Sequence, residues 1–156
     1  MTETALVTGA NRGIGLELCR QLSAKGMHVI AACRKASSEL KSLSVDIIED
    51  VEVSNPDSLA KLADKLNGRE IDWLINNAGI AGGIGLGDID QSAIGSFKRM
   101  YEVNSLGPLL VTQALLPNLH EGSKVGIITS RMGSIDDNDS GGSYAYRMSK
   151  SAVNAA

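Results

Sequence analysis

The sequence predicts a doubly wound α/β fold built on a parallel sheet. Three observations carry that reading: strand and helix signals alternate with short connections, the strand candidates are continuous apolar runs, and a glycine-rich turn joins the first strand to the first helix. Continuous apolar runs suit strands covered on both faces, as a parallel sheet with helices on each side requires.

The elements follow in order. "ETALVTG" is a short apolar strand ending in glycine. "IGLELCRQLSAKG" places Ile14, Leu18 and Leu22 at helical spacing, with Glu17, Arg20, Gln21 and Lys25 between them. That pattern predicts an amphipathic helix stopped by Gly26. "MHVIAAC" is a second buried strand, and "SLSVDIIEDVEV" contains a third. "SNPDSLAKLADKLNG" carries helix punctuation: Ser54 or Asn55 as cap, Pro56 near the first turn, Leu59, Leu62, Ala63 and Leu66 as the apolar face, and Gly68 at the end. "IDWLINNAG" is a fourth strand, residues 92–119 form a long helical region, and "SKVGIITS" is a fifth strand. A polar loop, "MGSIDDNDSGGS", leads to a terminal helix starting near Ser143.

Bulk properties bound the function. A chain of 156 residues suits one domain, expected over 1–156, and its 43% hydrophobic and 21% charged content is that of a globular protein. Aromatic content is only 3%, so aliphatic side chains must fill the core. A net charge of −3 argues against nucleic acid as partner. No apolar stretch reaches membrane-spanning length and the N-terminus lacks secretory features, so a cytoplasmic location is expected, without a membrane partner. Cys19 and Cys33 read as small buried groups in a reducing compartment, not as a disulfide framework or a metal site.

The turn "TGANRGIG" has a G-x-x-x-G-x-G pattern. Gly9 permits a sharp turn after the strand, Gly13 removes a Cβ where a pyrophosphate would approach, and Gly15 lets the helix pack closely on the sheet. The helix N-terminus then offers free N–H groups to the anion. The second strand ends "AACRKASS", without the acidic residue that would hold a ribose diol. Arg34 there matches a 2′-phosphate, so NADP(H) is favoured over NAD(H).

At the other end, Tyr146 and Lys150 stand one helical turn apart on one face. A neighbouring ammonium favours a phenolate, which is how a tyrosine becomes useful for proton exchange near neutral pH. Upstream, Pro108 lies inside the long helical region and has no N–H to give the carbonyl of Asn104, four residues back. That carbonyl is therefore expected to find another partner, such as water; a tolerated kink without catalytic meaning is the alternative.

With these motifs together, "TGANRGIG", "NNAG", "VNSLGP", "ITSRMG" and "YRMSK", the chain resembles the short-chain dehydrogenase/reductase family along essentially its whole length, and most resembles the carbonyl-reductase-like and C-factor-like members. The resemblance implies a Rossmann fold and an NADP-dependent oxidoreductase that interconverts a carbonyl and an alcohol. It implies Tyr146 as general acid, Lys150 as its partner and ribose ligand, Ser130 on the substrate oxygen, and Asn104 completing the set through a water. Tyr144 is a rival acid, but only Tyr146 stands four residues before a lysine. Gly9, Asn11, Arg12, Gly13, Ile14 and Gly15 would carry the cofactor with Arg34, Glu52, Val53, Asn77, Ala78, Gly79, Tyr146 and Lys150. Glu52 replaces the aspartate usual after the third strand, with Asp50 as the alternative if the register differs.

By the same resemblance the chain is expected to be C-terminally incomplete, lacking the last strands of the family fold and leaving the fifth strand as a sheet edge. Three readings follow: part of an NADPH-dependent carbonyl reductase, a catalytically impaired dinucleotide-binding or signalling protein, or an active reductase completed by another subunit. The helical region 92–119 and the terminal helix are the faces through which such proteins form homo-oligomers. Segment 80–91, "IAGGIGLGDIDQ", reads as mobile from its glycines.

Overall fold

The computed structural model describes residues 2–156, so Met1 of the expected domain lies outside the described residues. The chain divides into two compact units: residues through Ala78 with Leu110–Ile128, and Gly79–Leu109 with Thr129–Ala156.

The first unit holds the sheet. Strands β1 (Thr4–Thr8), β2 (His28–Ala32), β3 (Asp46–Ile48), β4 (Ile71–Asn76) and β5 (Leu119–Ile127) lie in the order β3-β2-β1-β4-β5 among the described residues. Every pairing is parallel. β1 is buried nearly throughout because it is flanked on both sides. Helices α1 (Gly13–Ala24), α2 (Ser38–Lys41) and α3 (Pro56–Leu66) connect the strands up to β4. The β1–β2 and β3–β4 crossovers run in opposite directions across the sheet, so right-handed connections put α1 and α3 on opposite faces. On the α1 side, Val7, Val29 and Ala31 pack with Cys19, Cys33 and Leu40. Leu59, Leu62 and Leu66 form the buried stripe of α3, as their spacing predicts.

Local punctuation is largely as read. Asn55, not Ser54, caps α3, its side chain accepting from Ser58 N–H at 3.0 Å, with Pro56 at the first helical position. The α1 face differs from expectation. Ile14 is 62% exposed, and the fully covered positions are Gly15 and Cys19. Leu18 and Leu22 pack against the core as their spacing predicts, so only the first position departs: buried Gly15 takes the place expected of Ile14. β5 starts earlier than "SKVGIITS" implies, pairing Leu119 with Ile71 before an irregularity that resumes at Lys124 opposite Trp73. His120 therefore lies in β5, held to Asp72 at 3.1 Å. Both cysteines are free and buried, and burial pushes the Cys19 thiol up to about 11.

The long helical region is not one helix. α4 (Gln91–Tyr101) passes into a π-helical turn (Glu102–Leu106), then α5 (Gly107–Ala114) and a 3₁₀ turn (Leu116–Asn118). Asp90 caps α4 by accepting from Ala93 N–H at 2.8 Å. Gly107 N–H bonds back to the Glu102 carbonyl, five residues away, just before Pro108. In that wider register the carbonyl next in line for the proline nitrogen belongs to Val103, so α-helical counting to Asn104 does not hold here. The second unit is completed by a 3₁₀ turn (Arg131–Gly133) and α6 (Tyr144–Asn154). Among the described residues no helix is long and apolar enough to cross a membrane.

Candidate active site

The first unit carries the glycine turn. The strand order reverses between β1 and β4, so their carboxyl ends lie side by side, the place where open α/β sheets receive ligands. Thr8, buried at the end of β1, fastens them: its hydroxyl oxygen accepts from the N–H groups of Asn77 and Ala78, each at 3.1 Å. Asn77 Nδ2 answers by donating to the Thr8 carbonyl at 2.9 Å and the Gly9 carbonyl at 3.3 Å. Gly9 has φ +65°, and a Cβ there would lie 2.8 Å from Ala78 Cα. A Cβ on Gly15 would run into the Gly9 carbonyl oxygen and the Asn77 amide. The "NNAG" and "TGANRGIG" motifs are thus two halves of one packed junction.

Gly13 differs from its neighbours: its φ is +55° and a Cβ would meet nothing within 4 Å. Arg12, exposed, is the N-cap of α1 and makes no side-chain capping bond. The first turn of α1 therefore presents uncapped N–H groups toward open space, as an anion site needs. Asn11 is half-buried in the same turn.

Arg34 is exposed two residues beyond β2, and its carbonyl accepts from Asp50 N–H at 3.2 Å. Lys35 is also exposed. Glu49 was not singled out by sequence; its carboxylate accepts from Ala36 N–H at 2.6 Å and adds one negative charge to this turn. Glu52 is half-buried and its carboxylate turns back to accept from the Ser54 hydroxyl at 3.1 Å. Val53 is buried.

The second unit contains Asn104, Ser130, Tyr146 and Lys150. Tyr146 and Lys150 share a face of α6, with Lys150 Nζ 5.9 Å from the centre of the Tyr146 ring. Lys150 is only 5% exposed, and burial pushes its ammonium below the ordinary lysine range. Asn104, 1% exposed, sits in the π turn. Its Oδ1 accepts from Ile80 N–H at 2.8 Å, and its Nδ2 donates to the Ile80 carbonyl at 2.8 Å and the Ser149 hydroxyl at 2.9 Å. Ser149 in turn donates to the Tyr146 carbonyl at 2.8 Å, and Ser105 donates to the Ser149 carbonyl at 2.7 Å. The side chain of Asn104 therefore ties the segment after Gly79, which is exposed, to the tyrosine helix.

Ser130 caps the 3₁₀ turn, its hydroxyl accepting from Met132 N–H at 3.1 Å. Gly133 closes that turn against α6, where a Cβ would lie 2.8 Å from the Lys150 carbonyl. The Gly133 carbonyl accepts from the Ser151 hydroxyl at 2.9 Å and from Asn154 Nδ2 at 3.2 Å, while Asn154 Oδ1 accepts from the Thr129 hydroxyl at 2.5 Å. Both ends of the Ser130 turn are thus fastened to the helix that carries Tyr146. Sequence reading missed Thr8, Gly133, Ser149 and Asn154. Thr8, Gly133 and Ser149 stand inside the quoted motifs "TGANRGIG", "ITSRMG" and "YRMSK" without having been given a role, and Asn154 stands four residues after Lys150 on the same helix face.

The family model described as short chain dehydrogenase matches residues 3–156. The chain is 41% identical over 153 residues to 1-hydroxy-2-glutathionyl-2-methyl-3-butene dehydrogenase of Rhodococcus sp. (strain AD45), covering 97% of this chain and 66% of that protein. It is 51% identical over 89 residues to C-signal of Myxococcus xanthus, covering 55% of this chain and 52% of that one. A carbonyl reductase from Pseudomonas aeruginosa PAO1, solved in complex with NADP, superposes with a TM-score of 0.87 at 28% identity, over 99% of this chain and 73% of that one. The chain therefore spans between about half and two thirds of the length of these two curated relatives. On the match of the whole described sheet, turn and helix set, the chain belongs to the short chain dehydrogenase family.

Proposed function

We propose that the chain carries the NADP-binding and catalytic elements of a carbonyl reductase, interconverting a small carbonyl compound and its alcohol. The observation that carries the reading is Tyr146 and buried Lys150 on one face of α6, with the Ser130 turn fastened to the same helix.

The residues present fit the cofactor. The uncapped first turn of α1 and the open space at Gly13 suit a pyrophosphate, and exposed Arg34 and Lys35 supply cations for a 2′-phosphate. When bound, NADPH supplies a hydride to the carbonyl carbon. Ser130 holds the substrate oxygen by a hydrogen bond, and Tyr146 gives that oxygen its phenolic proton, yielding the alcohol. The Lys150 ammonium stabilises the phenolate left behind, which recovers its proton from solvent. Asn104 keeps the tyrosine helix in place through Ser149. Exposed Ile94, Tyr101 and Leu109 support association with a second copy, and two unpaired buried thiols support a reducing, cytoplasmic setting.

Tyr146→Phe tests the reading. Its turnover of an activated ketone, followed as NADPH oxidation, should fall by roughly 10²–10⁴-fold with NADPH affinity kept. Unchanged turnover overturns the assignment. A second reading, a dinucleotide-binding or signalling protein with impaired catalysis, is favoured by the identity to C-signal. It requires NADPH binding without turnover, or a folded chain that binds none.

A further inference from the structure

Two arginines directly follow the two residues assigned to the substrate oxygen: Arg131 after Ser130, and Arg147 after Tyr146. Both grip Asp137, in the loop that joins the Ser130 turn to α6. Arg131 Nε pairs with the Asp137 carboxylate at 2.7 Å. Arg147 Nη1 donates to the Asp137 carbonyl at 3.0 Å, and Nη2 donates to the Ser140 hydroxyl at 2.9 Å.

The two grips are unequal. The Arg131 side chain is 87% exposed, and exposed ion pairs contribute little. Arg147 is 9% exposed, both acceptors are neutral, and its Nε has no hydrogen-bond partner among the described residues. Burying a cation on neutral oxygens is costly unless it does something a smaller or apolar residue would not. The planar fork reaches two acceptors three residues apart in the loop, a span that a single ammonium cannot match. The loop needs such an anchor. It ends in Gly141, Gly142 and Ser143, all with positive φ, so its own backbone restrains it weakly.

We infer that Arg147 is a positioning residue for the reaction. By holding loop 134–142 it keeps the Ser130 turn in register with Tyr146 and forms a wall against which the carbonyl substrate lies. This rests on the proposed roles of Ser130 and Tyr146.

The test compares the wild-type chain with Arg147→Lys, Ser140→Ala and Asp137→Asn. The readouts are amide hydrogen exchange, NADPH affinity, and steady-state reduction of 9,10-phenanthrenequinone. Arg147→Lys should raise exchange in 134–142 and cut kcat/KM roughly tenfold, mainly through KM, the scale of one lost charge-assisted hydrogen bond. NADPH affinity should stay within about twofold, since that loop is not assigned to the cofactor. Ser140→Ala, which adds no buried charge, should shift exchange in the same direction by less. Asp137→Asn keeps the carbonyl that Arg147 uses and should stay near wild type. Unchanged exchange in 134–142 for both Arg147→Lys and Ser140→Ala overturns the inference. So does a loss of NADPH affinity and thermal stability that matches the loss of turnover, because that marks a general packing role. A wild-type chain that oxidises no NADPH defeats the proposed function and the catalytic consequence with it. The exchange comparison still decides whether Arg147 holds the loop.

Discussion

At the scale of single residues, the spacing of Tyr146 and Lys150 was legible because a helix turns every 3.6 residues, so positions four apart must share a face. The environment of Lys150 was not legible, since its burial depends on the distant Gly133 turn and π turn. That burial has a measurable sign. The folded-state value lies below the ordinary 10.5, so between the two the unfolded chain holds more of this proton than the folded one. Stability from this site therefore rises with pH across that window and carries its full penalty below it. Lys150→Met removes the penalty. Chemical denaturation should show the variant's advantage over wild type shrinking as pH rises towards 10.5, whereas a pH-independent difference contradicts burial as the cause. The side chain of Asn104 was hidden for the same reason as the lysine's burial: Ile80 and Ser149 lie 24 and 45 residues away.

Among the elements, strands and caps could be read because apolar runs, Pro56 and the cap asparagine act locally. Features set by tertiary approach could not. Ile14 looked like a core position, yet it is exposed beside the closely seated Gly15, while Leu18 and Leu22 keep their places against the core. The π turn escaped because proline signals a break without saying whether the helix ends or widens. Segment 80–91 read as mobile from four glycines; tertiary approach gives one of them a packing reason, since Gly82 is bare where the Met100 side chain crosses it, and residues 86–88 form a 3₁₀ turn. The Gly133 contact gives a test at this scale. Gly133→Ala forces a methyl against the Lys150 main chain and should destabilise by about 1–3 kcal/mol, as overpacking does, with turnover falling further than NADPH affinity. Equal stability and turnover would show that the turn has room to shift.

Over the whole molecule, family membership follows from the ordered set of motifs; one compact unit holds the glycine turn and the other holds Ser130, Tyr146 and Lys150. The proposed preference for NADPH belongs to this scale because the proposal rests on the charge that Arg34 offers. Arg34→Ala should weaken NADPH about ten- to a hundredfold and leave NADH nearly unchanged, the difference expected for a charged hydrogen bond to a 2′-phosphate. Equal losses for both would place the arginine elsewhere in the function. The most direct measurement is a calorimetric titration of the folded chain with NADPH, set beside Gly13→Val, whose side chain would enter the open space before α1 at a strained φ of +55°. Saturable binding by the wild type, abolished by Gly13→Val in a chain that still folds, is the predicted result. A folded wild-type chain that takes up no NADPH, or a Gly13→Val variant that binds as tightly, would contradict the account.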